Sequence, residues 1–215
     1  SSFALAVGVV AVSVAGYVDD SHSASDARGL RGHLAAALHG RVSSGLIKAV
    51  IGILAAAALV AAMVRHRLAG TPMGAADMLL TMAVPLLVVA LNTNVANVLD
   101  LRPGRAGKAL LTEALCVMAV APHSDAKLSL FLYIVLVLTW LPLDLQAKAM
   151  MGDAGSNALG FALGGMTVLT LDPLGSAILL GPLLAIQVLA EVTSLSKWIE
   201  RIPLLRFFDR LGRTS

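Results

Sequence analysis

Seven runs of apolar residues divide the chain, and short polar stretches separate them. The runs lie near residues 2–17, 48–64, 75–93, 109–122, 128–143, 157–171 and 174–193. A membrane-spanning helix needs about 20 predominantly apolar residues, so the shorter runs extend into their flanks or pack tightly. The pattern predicts an all-α polytopic bundle of about seven spans, formed by a single membrane domain over residues 1–215. The run at 109–122 is the weakest, because it contains Glu113.

The composition supports a membrane protein. Of the 215 residues, 58% are hydrophobic and 13% are charged, whereas an average soluble domain carries about 25% charged residues. So few charges cannot cover a water-exposed surface, and we expect no nucleic-acid partner. The single cysteine, Cys116, excludes a disulfide within the chain. The chain opens inside an apolar run without a methionine, so we expect a truncated N-terminus rather than a signal peptide.

The basic residues fall mainly on one side of the predicted bundle. Alternating seven spans place residues 18–47, 94–108, 144–156 and the tail 194–215 on one face. At or beside these segments lie Arg28, Arg31, Arg41, Lys48, Arg102, Arg105, Lys108, Lys148, Lys197, Arg201, Arg206, Arg210 and Arg213. The opposite face holds only Arg65, Arg67 and Lys127. Because cytoplasmic loops are enriched in Lys and Arg, the first face is predicted to be cytoplasmic, in a multi-pass plasma-membrane protein.

Three acidic motifs lie on that same face, each at the end of a run. "GYVDD" ends the first run, "NTNVANVLDLRPGR" follows the third and "MGDAGSN" follows the fifth. A carboxylate beside lipid is costly unless it is paired, hydrated or bound to a metal. The three motifs are therefore predicted to converge on one site.

The residue types in these motifs suit phosphoryl transfer. Paired carboxylates such as Asp19 and Asp20 ionise together only when a cation neutralises them, and Mg²⁺ takes one or two carboxylates together with substrate phosphates. Asp153 lies between glycines that leave room for a phosphate group. On a helix Asn94, Asn97 and Asp100 share roughly one face, and Arg102, Arg105 and Lys108 suit phosphate oxygens. Taken singly, each motif also fits a solvated helix end, polar contacts between helices or a basic loop.

The chain resembles the polyprenyl-phosphate N-acetylhexosamine-1-phosphate transferases, the glycosyltransferase family 4 enzymes. The resemblance rests on "GYVDD", "NVANVLD" and "MGDAGS", in the family's order, and spans essentially the whole chain. It implies transfer of a sugar 1-phosphate from a nucleotide-activated sugar, with UDP expected, to a polyprenyl phosphate, in cell-envelope polysaccharide or peptidoglycan synthesis. It also implies Mg²⁺ as cofactor and release of the nucleoside monophosphate. A homodimer is a further candidate assembly.

The resemblance also implies roles for individual residues. Asp153 would be the Mg²⁺ ligand, and Asp19 or Asp20 would contact the lipid phosphate or the metal, with Asp19 a proposed base. Asn97 and Asp100 would line the nucleotide side of the cleft. Lys48 is similar to a basic position near the family's active site; snorkelling to the membrane surface is the alternative.

Two stretches depart from the family pattern. "LRPG" (101–104) stands where a "GLDG"-like stretch helps to recognise uracil, and the late histidine-rich motif is replaced by "ERIPLLRFFDRLGR". The arginines of that segment, Arg201, Arg206 and Arg210, would take over sugar or phosphate contacts or lie on the membrane surface. His33 and His39 are expected to be surface residues. These departures keep open an inactive or regulatory paralogue that binds lipid phosphate. A transporter is a less favoured alternative, because the acidic residues of the motifs lie at the ends of the runs and only Glu113 and Glu191 are exceptions.

Overall fold

The computed structural model describes residues 1–21, 43–67, 74–121 and 125–213 and contains only helices there. In chain order they are α1 (Ser2–Ser21), α2 (Ser44–Arg67), α3 (Ala75–Leu99, with a π-helical stretch at Leu79–Ala83), α4 (Arg105–Val120), α5 (Asp125–Leu145), α6 (Gly152–Thr170), α7 (Pro173–Val192), α8 (Leu195–Arg201) and α9 (Pro203–Arg210). The all-α fold class is confirmed.

Five of these helices are long and apolar enough to cross a membrane, namely α1, α2, α3, α5 and α7. The two remaining predicted spans coincide with α4 and α6, which are not both long enough and apolar enough to be counted as membrane-spanning helices. Helix α4 has 16 residues, and α6 begins with the polar sequence GDAGSN. The protein is therefore a multi-pass membrane protein, and the number seven stays a prediction.

The polar segments between the apolar runs are shorter than the sequence pattern predicts, because the helices extend into them. Helix α3 continues to Leu99 and α4 begins at Arg105, so residues 100–104 make the connection that was expected over 94–108. Residues 146–151 likewise connect α5 to α6. The tail predicted over 194–215 contains α8 and α9. Most of the predicted loop 18–47 lies outside the described residues, as do His33 and His39.

Helix α6 packs between α1 and α3, and small residues allow its close approach to α3. Gly160 and Gly164 lie one turn apart on α6. A Cβ atom at Gly160 would come within 2.6 Å of the Asn92 carbonyl oxygen, and one at Gly164 would lie 3.0 Å from the Val89 Cα. Two small residues four positions apart let the two helix backbones come into contact. Such close packing stabilises helix association in a membrane, because the hydrophobic effect does not act between helices surrounded by lipid.

The acidic residue within α4 is satisfied by a neighbouring helix. The side-chain amide of Asn92, on α3, donates to Glu113 Oε1 at 2.5 Å, and Asn92 is 1% exposed. The buried amide of Asn92 thus has a partner, as buried polar groups require, and Glu113 is half-buried.

Replacing Glu113 tests this contact. Glu113→Leu should lower the free energy of unfolding by about 1–3 kcal/mol, because a buried Asn92 N–H loses its acceptor. Glu113→Gln keeps an acceptor oxygen and should cost less. Thermal unfolding in detergent measures both variants, and equal melting temperatures for Leu and Gln would contradict the expectation.

Candidate active site

Six side chains from four helices meet at one end of the bundle and form what we call the polar cluster. Helix α1 contributes two carboxylates at its last turn, α2 a lysine at its start, α3 an amide and a terminal carboxylate, and α6 a carboxylate in its first turn. The residues are Asp19, Asp20, Lys48, Asn97, Asp100 and Asp153. The predicted convergence of the three acidic motifs is thus seen in the structure.

Lys48 lies between two carboxylates that come from different helices. Its Nζ is 3.0 Å from Asp19 Oδ2 and donates a short hydrogen bond to Asp153 Oδ2. Asp19 and Asp153 also lie within hydrogen-bonding reach of each other. Two carboxylates this close repel unless a cation neutralises them. Lys48 supplies one positive charge between them.

Asp20 caps the first turn of α6 from another helix. Its two carboxylate oxygens accept hydrogen bonds from the backbone N–H groups of Asp153 and Ala154, at 3.1 and 3.2 Å. A helix start leaves such N–H groups without partners inside the helix, and a negative charge there is favoured by the helix dipole. Asp20 therefore fixes the backbone that carries Asp153.

Helix α1 touches the start of α6 directly through Gly16. A Cβ atom at this position would lie 2.6 Å from the Asp153 carbonyl carbon and 2.7 Å from the Ala154 nitrogen. Only a residue without a side chain permits that approach. One turn later on α1, Asp19 and Asp20 reach the same part of α6, so the contact at Gly16 sets the separation of the carboxylates.

Asp100 adds a carboxylate from the end of α3. The Gly152 backbone donates a hydrogen bond to it, whereas its Oδ1 is buried without a hydrogen-bond partner among the described residues. Burial, together with the charges of Asp144, Asp153 and Asp20, raises the pKa of Asp100 to about 7. Protonation of Asp100 relieves the repulsion among these carboxylates, and a bound cation would relieve it as well.

The cluster fits Mg²⁺ only when substrate supplies further ligands. Within the described ranges, no group of three or more acidic, histidine or cysteine side chains forms a ready-made metal site. Mg²⁺ is usually held by one or two carboxylates, with water and phosphate oxygens in its other positions. Asp153 and the unpartnered Oδ1 of Asp100 match that donor set, and the excess of carboxylates over the single Lys48 supplies the negative charge.

Three predicted site residues turn away from the polar cluster. The Asn94 amide donates to Gln187 Oε1 on α7 at 2.6 Å. Arg102 pairs with Glu200 on α8 at 3.0 Å. Arg105 is buried and pairs with Asp209 on α9. Their predicted role in substrate binding stays a prediction.

The structure also adds residues to which the sequence analysis assigned no individual role. The amide of Asn97 donates to Asn157 Oδ1 at 3.3 Å, and Asn157 Nδ2 is buried without a partner in the described part of the chain. Ser44 makes a hydrogen bond with Asp19. Asp144, at the end of α5, is fully buried, and neither of its carboxylate oxygens has a good hydrogen bond among the described residues. A lone acidic residue ending an apolar run was the only sequence signal for Asp144.

Comparison with known proteins identifies the family of the chain. The family model described as glycosyl transferase family 4 matches residues 2–171, a range that includes all six residues of the polar cluster. No curated protein and no solved structure matches the chain. The family match covers most of the chain, and the resemblance inferred from the three motifs is confirmed. The chain therefore belongs to glycosyl transferase family 4, whose membrane enzymes transfer a sugar 1-phosphate to a polyprenyl phosphate.

Proposed function

We propose that the protein transfers an N-acetylhexosamine 1-phosphate from a UDP-sugar to a polyprenyl phosphate, with Mg²⁺, and releases UMP. The reaction would serve cell-envelope polysaccharide or peptidoglycan synthesis, at the cytoplasmic face of the plasma membrane. The supporting observation is the polar cluster itself: carboxylates from three helices and one lysine meet where the bundle ends. A diphosphate donor adds negative charge to a site that already holds several carboxylates. A bound cation and Lys48 would offset the negative charge of both.

The chemistry asks for positioning rather than covalent catalysis. A phosphate oxygen of the lipid attacks the β-phosphorus of the nucleotide sugar in line, and the bond from that phosphorus to the UMP oxygen breaks. A new diphosphate links lipid and sugar. Lys48 holds the lipid phosphate beside Asp19, and Asp19 takes its proton when the phosphate arrives singly charged. Asn97 and Asp100 orient the donor, and such orientation supplies a large part of the rate enhancement.

Mg²⁺ would be held by Asp153, with Asp100 beside it, and would neutralise charge on the donor diphosphate and the departing UMP. Asp20 contributes indirectly, since it fixes the first turn of α6 and thereby the carboxylate of Asp153.

Substitution of Lys48 tests the electrostatic part of this proposal. Lys48→Met should lower turnover about 100-fold, in the range seen when one preorganised donor is removed from a charged site. Lys48→Arg keeps the charge and should retain more activity. UMP release from membranes with equal amounts of protein gives the comparison. Equal activity of the Met variant and the wild type would favour snorkelling as the role of Lys48.

The proposed function is tested directly with purified protein. The assay combines the protein in detergent with undecaprenyl phosphate and a panel of UDP- and CDP-activated sugars, and follows nucleoside monophosphate release with Mg²⁺ and with EDTA. Release from a UDP-N-acetylhexosamine that EDTA abolishes supports the proposal and identifies the donor. If folded protein releases no nucleoside monophosphate from any donor of the panel, the proposed function is wrong. The protein would then be a non-catalytic member of the family that binds lipid phosphate.

A further inference from the structure

The segment after α7 folds back onto the start of α4. Arg105 donates from Nε and Nη2 to the two carboxylate oxygens of Asp209, at 2.6 and 3.3 Å. The two side chains are only 5% and 4% exposed. Lys108 Nζ donates to the backbone carbonyls of Phe208, Asp209 and Leu211, at 2.8, 2.6 and 3.1 Å. The lysine thereby satisfies carbonyl groups that the end of α9 leaves free.

Two further contacts hold the loop between α3 and α4. Arg213 Nε donates to the Pro103 carbonyl oxygen at 3.1 Å, and Arg102 pairs with Glu200 at 3.0 Å. The second pair is well exposed and contributes little. The buried bidentate pair of Arg105 and Asp209 is the strong contact. We call these four contacts the tail clasp.

The clasped loop begins at a residue of the polar cluster. Asp100 directly follows the last residue of α3, and only residues 101–104 separate it from Arg105. The backbone of Gly152 donates to Asp100 on its other side. A connection of four residues leaves little slack, so the position of Arg105 limits where Asp100 can lie.

We propose that Arg105 and Asp209 are positioning residues, which hold Asp100 in place on the donor side of the site. This inference rests on the proposed transferase function. Arg105 acts through the loop, because its guanidinium is occupied by Asp209 and by Ser196 Oγ at 3.0 Å. The lipid-phosphate side, formed by Asp19 and Lys48 on α1 and α2, has none of the four clasp contacts.

The kinetic test separates the two substrates. Asp209→Asn should raise KM for UDP-N-acetylglucosamine about tenfold, because a displacement of about 1 Å at a positioning group has effects of this size or larger. KM for undecaprenyl phosphate should stay unchanged. Arg105→Lys keeps the charge but loses the bidentate geometry, and it should give a smaller rise in the same KM.

A merely structural role predicts a different result. Loss of folded protein lowers the apparent kcat and leaves both KM values unchanged. Tyr133→Phe is the matched control, since Tyr133 donates to the Leu159 carbonyl oxygen at 3.1 Å, away from the polar cluster. If Asp209→Asn does not fold, Arg213→Gln, which releases only Pro103 and one oxygen of Asp209, takes its place with a smaller expected rise.

A second measurement does not depend on turnover. Hydrogen exchange of the backbone amides of Asp100 and Arg105, which are hydrogen-bonded at the two ends of the loop, should be about tenfold faster in Asp209→Asn than in the wild type, since the loop opens locally without its contacts. Tyr133→Phe should leave that exchange unchanged. Unaltered exchange or an unaltered donor KM in the folded variants would overturn the positioning role. Absence of turnover in the wild type would instead refute the proposed function, and the exchange data would still decide whether the tail clasp positions Asp100.

Discussion

Asp153→Asn is expected to abolish turnover and the response to Mg²⁺, with a loss of about 1000-fold or more. The substitution keeps the size of the side chain but removes the charge that the proposed metal site requires. It also removes one of the two carboxylates that pair with Lys48. UMP release as a function of Mg²⁺ concentration gives the measurement, in membranes where the amount of folded protein is matched.

The control for this prediction is Asp172→Asn. Asp172 caps α7, where its Oδ1 accepts from the Gly175 N–H at 2.7 Å, and asparagine caps a helix about as well. This variant should therefore keep both activity and melting temperature. Substantial turnover of Asp153→Asn, with the same Mg²⁺ dependence as the wild type, would show that the metal assignment is wrong.

Gly16→Ala is expected to lower turnover about 100-fold although residue 16 carries no chemical group. The added methyl would collide with the backbone at Asp153 and Ala154, so α1 must move away from α6. That movement lengthens the hydrogen bonds from the two N–H groups to Asp20 and separates Asp19 from Asp153. Steady-state kinetics of the alanine variant, with its thermal unfolding, measures the effect.

The matched control is the same substitution in α2. A Cβ atom at Gly52 would meet nothing within 4 Å, and alanine in a helix interior is favoured over glycine by about 1 kcal/mol. Gly52→Ala should thus retain activity and be as stable as the wild type or more so. Equal kinetics for the two variants would mean that the spacing of α1 and α6 does not control the site.

The sequence predicted the helical class and the meeting of the three acidic motifs, because both follow from local patterns. A long apolar run indicates a membrane-spanning helix, since only a helix or a closed barrel gives every backbone N–H and C=O group a hydrogen-bond partner in lipid. Alternating spans then place the ends of α1, α3 and α5 on one face. The start of α6 was less readable. The motif around Asp153 was expected as a loop, yet it forms the first turn of the helix, where Asp20 from α1 supplies the acceptor for its N–H groups.

The fate of the other polar residues depends on non-local partners, which a single sequence does not reveal. Successive residues of a helix turn by about 100°, so Asn94 and Asp100 lie about 120° apart around α3. Asn94 consequently meets α7, whereas Asp100 meets α6. The sequence predicted that Arg105 binds phosphate oxygens. In the structure its guanidinium instead pairs with Asp209, which lies 104 residues later in the chain and is brought near only by the fold.

The cap on α6 has a consequence for how the protein is made. Asp20 and the N–H groups that it accepts are 133 and 134 residues apart, and α1 is synthesised long before α6. During insertion the first turn of α6 lacks the Asp20 acceptor for these groups until it docks against α1. The carboxylate of Asp153 therefore reaches its final place only at a late step of assembly, and a partly inserted chain holds the separate halves of a site that cannot yet act on any substrate.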